Sequence, residues 1–86
     1  MLSYSQFNYL MLYYPYMITQ RDEKARKELG NMLKEAREKA KLTQAEVATK
    51  SEVSVNYYAR VERGGENPTF EILDRIFKTL KIKIKL

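Results

Sequence analysis

The 86-residue sequence contains no cysteine and no histidine. Without cysteine the chain can form neither disulfides nor thiolate metal sites, which fits a reducing compartment such as the cytoplasm. Without histidine as well, an active site would need serine, lysine or carboxylates alone, and no spacing brings such residues together as a catalytic group. We therefore expect no enzymatic activity, no bound metal and no cofactor.

Charged side chains are missing from the start of the chain, because all sixteen basic and eleven acidic residues lie from Arg21 onward. This N-terminal extension, residues 1–20, holds five of the seven tyrosines. The apolar run at residues 9–18 is too short to span a bilayer and is interrupted by Pro15, so we expect no membrane span. The extension either packs on its own domain or on a partner, or precedes a biological start at Met17.

Two amphipathic patterns flank the middle of the chain. The first predicts a helix from Asp22 to Ala40, in which Gly30 should cost about 1 kcal/mol relative to alanine. The second, after a glycine-containing loop, predicts a helix that Thr69 caps and that ends near Leu80. The last residues alternate apolar side chains with lysine, which is the period of a strand, and a lone strand needs a partner. The apolar residues of this expected dimerisation edge are Ile82, Ile84 and Leu86.

Between these patterns, two short helices joined by a tight turn are predicted from Thr43 to Arg63. Thr43 and Ser54 can cap them, because short polar side chains accept hydrogen bonds from the free backbone N–H groups at helix starts. In the second helix Tyr58 and Val61 are three residues apart and face inward, which leaves polar residues reachable on its other faces. This layout is that of a helix-turn-helix, whose second helix suits the major groove of DNA.

The order of motifs from Leu29 to Leu80 resembles the XRE-like family, the phage repressor and Cro type of helix-turn-helix. The segments that carry the resemblance are LKEAREKAKLTQAEVA, VS, RVERG and NPTFEIL, in that order. The expected fold is all-α, a compact repressor-like domain of four to five helices over residues 21–81, followed by a short strand or dimerisation tail at residues 82–86. The resemblance implies double-stranded DNA as the partner, and the net charge of +5 agrees with a polyanion.

Matching positions in that family imply roles for individual residues. Arg37 and Glu62 match a structural ion pair between the first and third helices, which would fix the helix from Ser54 to Arg63, the recognition helix. Side chains at its base-reading positions can pair with adenine or guanine or touch a thymine methyl group. These positions are Val55, Asn56, Ala59 and Arg60. Gln44 and Ser54 match family positions that contact phosphate. Further candidates for phosphate contact, from their side-chain chemistry, are Tyr57, Arg63, Asn67, Lys41 and Lys50.

Two positions depart from the family pattern. Members commonly have glycine before Leu42 and in the turn before Val53, where this chain has Lys41 and Glu52. A left-handed backbone would be strained at either residue because both carry a Cβ atom. We expect either tolerated turns at modest cost or a changed turn that re-aims the recognition helix. Glu52 also adds negative charge close to the expected DNA face.

We predict a cytoplasmic, homodimeric transcription regulator that reads an inverted repeat with one recognition helix per monomer. Because most such proteins repress a promoter, we expect a repressor. A second interpretation is a protein-interaction module, such as an antitoxin that holds a toxin, with DNA binding secondary. Membrane attachment through residues 1–18 is disfavoured because no basic charge lies on that segment. The sequence leaves open the operator, repression versus activation, and a role as a restriction-modification controller.

Overall fold

The computed structural model describes residues 23–82, which fold into four α-helices. The helices are α1 (Glu23–Lys39), α2 (Gln44–Lys50), α3 (Val55–Arg63) and α4 (Phe70–Thr79). No strand occurs within these residues, and the all-α prediction is confirmed. The N-terminal extension, like Ile84 and Leu86 of the expected dimerisation edge, lies outside them. None of the four helices is long and apolar enough to cross a membrane.

The starts of α2, α3 and α4 are each fixed by a hydroxyl side chain. Thr43, Ser54 and Thr69 accept hydrogen bonds from the backbone N–H three residues later, at 3.0 to 3.1 Å. At α2 the Glu46 carboxylate accepts a bond of 2.8 Å from the backbone N–H of Thr43, which completes a capping box. The three predicted caps are therefore confirmed.

All four described helices end in the same way, with one residue in the left-handed conformation. These residues are Lys41, Glu52, Gly64 and Lys81, with φ angles of 59°, 61°, 81° and 58°. In each case the N–H of the next residue bonds the carbonyl oxygen five positions back, at 2.8 to 3.1 Å, which is the Schellman motif. The strain expected at the first two positions is therefore present, and the turns keep the geometry that glycine would adopt more readily.

Glycine at these ends should stabilise the protein. For a residue with a Cβ atom, the left-handed conformation costs about 1–2 kcal/mol of conformational energy. Glycine avoids this cost but loses more conformational entropy on folding. Lys41→Gly and Glu52→Gly should therefore each raise the free energy of unfolding by about 0.5–1 kcal/mol. Glu38→Gly, inside α1, should lower it by about 1 kcal/mol. Urea unfolding measures all three, and an unchanged Lys41→Gly midpoint would show that the helix end is unstrained.

One apolar core joins the four helices. Helix α3 packs between α1 and α2, and α2 also packs on α4. Tyr58 and Val61, the residues predicted to face inward from the recognition helix, are 0% and 1% exposed. Their burial leaves the opposite side of α3 to solvent. The core residues are Ala25, Leu29, Leu33, Ala36, Val47, Ala48, Tyr58, Val61, Leu73, Ile76, Phe77, Leu80 and Ile82.

Ile82 was predicted to form part of a dimerisation edge, but its side chain is buried in the core of its own chain. Its backbone N–H donates to the carbonyl oxygen of Phe77 at 2.8 Å, so the residue closes the end of α4 rather than beginning a strand. The left-handed residue Lys81 is the cause, because it turns the chain back onto the core. In this structure Ile82 is therefore not available to a second subunit.

Candidate nucleic-acid interface

The outer face of α3 carries the base-reading candidates. Val55, Asn56 and Arg60 are exposed and Ala59 is half-buried, whereas the buried residues of the helix all lie on its other side. At 100° per residue, these four positions and Arg63 fall within an arc of about 140°. The structure thus brings the predicted base-reading side chains together on one accessible face.

Arg60 is oriented by two neighbours on the same surface. Its Nε donates to Oε2 of Glu66, in the loop between α3 and α4, at 2.8 Å. Its guanidinium lies 6.0 Å from the centre of the Tyr57 ring, within the range of a cation–π contact. Burial raises the pKa of Tyr57, and the Glu66 carboxylate adds to that shift. The sequence analysis did not identify Glu66 as a partner of Arg60, because the sequence shows only an acidic residue just beyond a glycine turn.

Arg37 and Glu62 form the ion pair that was expected between the first and third helices. Nε of Arg37 lies 2.7 Å from Oε2 of Glu62 and Nη2 lies 3.1 Å from Oε1. The remaining guanidinium nitrogen, Nη1, donates to the carbonyl oxygen of Leu42 at 3.1 Å, and Nε2 of Gln44 donates to Oε1 of Glu62 at 2.9 Å. The pair therefore joins α1, the turn after it, the start of α2 and α3.

Both members of this pair are held in their charged forms. Burial raises the pKa of Glu62, but hydrogen bonds from Arg37 and Gln44 and the nearby Tyr58 hydroxyl outweigh it and leave the pKa below 4.5. The hydrogen bond to Glu62 raises the pKa of Arg37. Burial also raises the pKa of Tyr58, whose hydroxyl lies beside the carboxylate. The recognition helix is thus anchored by an ion pair whose side chains are only 13% and 4% exposed.

Gly30 is the point at which α1 comes closest to α3. A Cβ atom there would lie 2.7 Å from the carbonyl oxygen of Val61 and closer still to that of Glu62. Nearby, Nε of Arg26 donates to the carbonyl oxygen of Gly64 at 3.0 Å. The absence of a side chain at Gly30 therefore lets the two helices pack backbone to backbone, a role that the sequence analysis did not identify.

The phosphate candidates occupy different environments. Lys41, Lys50 and Arg63 are exposed, Tyr57 is half-buried, and the hydroxyl of Ser54 accepts the N–H of Tyr57. The Gln44 amide is already bonded to Glu62, and it lines one groove together with Arg63. The side-chain oxygen of Asn67 is buried and has no hydrogen-bond partner within residues 23–82.

Two short helices joined by a tight turn, with the second held by its inner face and open on its outer face, define a helix-turn-helix protein. A family model described as helix-turn-helix matches residues 33–86, which is more than half of the chain and includes α2 and α3. The chain therefore belongs to the XRE-like helix-turn-helix family, as the resemblance predicted, and is a DNA-binding transcription regulator. No curated protein and no solved structure gives a significant match to the chain.

Proposed function

We propose that this protein is a cytoplasmic homodimer that lays α3 of each subunit in successive major grooves of an inverted repeat. The observation that supports this most strongly is the accessible arc of α3, which holds Val55, Asn56 and Arg60 on a helix fixed from behind. A helix whose own position is locked can hold side chains at the precision that base recognition requires.

The proposed base contacts follow from side-chain chemistry. Asn56 can pair with adenine through its amide, and the Nη groups of Arg60 can pair with guanine while Nε remains bonded to Glu66. Val55 is 45% exposed on this face, so its methyl groups can touch a thymine methyl group. We infer that Arg60 is oriented before DNA arrives, which reduces the entropy lost on binding.

Dimerisation is proposed from the size of the module. Helix α3 has nine residues, so one copy contacts only a short stretch of base pairs, and a two-fold pair doubles the recognised sequence. Since Ile82 is buried, the partner surface would come from other apolar groups, including Ile84, Leu86 and the N-terminal extension. We expect sedimentation to give a dimer at micromolar concentration, and a monomer there would contradict this part of the proposal.

Selection from a randomised duplex pool tests the proposed function directly. The retained fraction should contain an inverted repeat whose half-sites lie about one helical turn apart, near 10 base pairs. No enrichment over the starting pool, with only weak salt-sensitive binding, would contradict sequence-specific recognition.

Asn56→Ala and Arg60→Ala should each weaken binding to the selected duplex by about 1–3 kcal/mol and relax the preference at one base pair per half-site. Both side chains are exposed, so the melting temperature should change little. Lys78→Ala, which removes an exposed cation from α4, is the matched control and should leave the base preference unchanged. If the two α3 variants select the same sequence as the wild type, these residues do not read bases.

A second candidate function is an interaction module that holds a partner protein, such as a toxin. The N-terminal extension favours it, because an uncharged segment with five tyrosines suits a protein surface. The double variant Asn56→Ala, Arg60→Ala distinguishes the two candidates. It should lose specific DNA binding if α3 reads DNA, and it should keep the partner if the extension holds one.

A further inference from the structure

A groove of about 470 Å³ is lined by residues of α1, the start of α2 and the end of α3. Its α1 wall consists of residues that the sequence analysis did not assign to any function. The residues that line the groove are Lys27, Asn31, Lys34, Gln44, Glu62 and Arg63.

The groove carries more positive than negative charge. The carboxylate of Glu62 is already paired with Arg37 at 2.7 Å, and Lys27 pairs with Glu23 at 3.0 Å. Lys34 and Arg63 form no ion pair within residues 23–82, so two cations of the groove lack a counter-charge there. The side-chain amides of Asn31 and Gln44 add hydrogen-bond donors to the same groove.

The groove also borders the face that reads bases. Arg63 follows Asn56 by seven residues, which is close to two helical turns, so both side chains leave α3 on the same side. Lys34 lines the same groove from α1. A helix seated in the major groove is flanked by the sugar-phosphate backbone, and most hydrogen bonds in such interfaces go to phosphate oxygens and sugars. An anion beside α3 would therefore be a backbone phosphate.

We propose that Lys34 and Arg63 jointly bind one phosphate of the DNA backbone, so that α1 contributes a contact outside the two helices of the helix-turn-helix. This inference rests on the proposed function of α3. An arginine fork and a lysine point charge are the two side chains best suited to a phosphodiester, and neither has to abandon an ion pair in the described part of the chain to bind it.

The walls of the groove are held in position before any ligand arrives. Gln44 is bonded to Glu62 at 2.9 Å, and the close approach at Gly30 fixes α1 against α3. The stem of Lys27 packs on Gly64, where an added Cβ atom would lie 2.7 Å from Cγ of the lysine. Because the backbone on both sides is fixed, binding would order little more than the ends of two side chains.

The test compares Lys34→Gln with Lys39→Gln across a salt series, with the pool-selected duplex and a random-sequence duplex as probes. Lys39 lies five residues further along α1, about 140° around the helix, and loses the same charge. Lys34→Gln should weaken binding roughly threefold to tenfold and reduce the slope of log K against log salt by at most about 0.9, because Arg63 still faces the same phosphate. Both duplexes should show the loss, since a phosphate contact carries no sequence information.

A second arm identifies the phosphate itself. Neutral methylphosphonates are placed one at a time in the selected duplex. At one position per half-site the substitution should weaken the wild type more than Lys34→Gln, which keeps only Arg63 on that phosphate. The proposal is overturned if Lys34→Gln and Lys39→Gln behave alike, or if every methylphosphonate affects wild type and Lys34→Gln equally. Those results leave base reading by α3 intact, whereas a wild type that binds neither duplex would overturn both proposals.

Discussion

Replacing Gly30 with alanine should lower the free energy of unfolding by about 3 kcal/mol, although alanine is the better helix former by about 1 kcal/mol. The added methyl group would meet the backbone carbonyl oxygens of Val61 and Glu62 inside contact distance. Backbone atoms cannot rotate away as a flexible side chain can, so α1 and α3 would have to separate. Urea unfolding followed by circular dichroism measures the change.

The matched control is Glu35→Ala, at an exposed position of the same helix, which should change stability by no more than about 0.5 kcal/mol. The Gly30→Ala protein should also bind the selected duplex less tightly at temperatures at which it remains folded, because the end of α3 would shift. A Gly30→Ala protein that is more stable than the wild type would show that helix propensity, rather than backbone contact, governs this position.

Glu62→Gln should destabilise the protein by about 3 kcal/mol at neutral pH, because it leaves the Arg37 guanidinium largely buried without its counter-charge. The amide is close to the carboxylate in size, so the loss reports charge rather than a cavity. Thermal or urea unfolding at pH 7 gives the value. Glu35→Gln removes an exposed carboxylate from α1 and should stay within about 0.5 kcal/mol of the wild type.

The ion pair of Arg37 and Glu62 also predicts how the free energy of unfolding depends on pH. The pKa of Glu62 in the folded protein lies below its ordinary value of 4.5, so its stabilising contribution is complete above about pH 4.5 and is lost as pH falls through the lower folded-state pKa. The difference in unfolding free energy between the wild type and Glu62→Gln should therefore shrink below pH 4.5. Curves that stay parallel down to pH 2 would contradict the proposed charge state.

Local features of the fold could be predicted from the sequence. Thr43, Ser54 and Thr69 were identified as caps because a cap needs only its own residue and the next helical turn. The bounds of α1 followed from its apolar period, and the observed Glu23–Lys39 lies within one residue of the prediction at each end. The strain at Lys41 was found through resemblance, since an expected glycine was replaced there.

Features that depend on a second element could not be predicted in the same way. The role of Gly30 requires knowing that the carbonyl groups of α3 pass beside it, and helix propensity gave the opposite sign. The sequence could not distinguish Lys34 from an ordinary solvated lysine, because only the structure shows that it lines the same groove as Arg63. Ile82 was misread because a lysine and isoleucine alternation of a few residues has the period of a strand, while the turn at Lys81 decides its direction.

The recognition surface could be predicted from the sequence only in part. Sequence placed Val55 and Asn56 on the accessible side of α3 because two inward residues fix the orientation of a helix. It did not show that Glu66 holds Arg60, since that contact crosses a glycine turn and depends on the course of the loop. The proposed base contacts depend on such orientation, so residue identity alone does not determine which bases they would read.

The shared left-handed helix ends also bear on the lifetime of the protein. Three of them use residues with a Cβ atom, Lys41, Glu52 and Lys81, and together they lower stability by about 2 kcal/mol relative to glycine. That difference raises the population of unfolded chains about thirtyfold. Proteases act on unfolded chains, so we expect these three turns to shorten the time for which a synthesised molecule persists. A regulator whose signal is its own concentration would then follow changes in its synthesis more quickly.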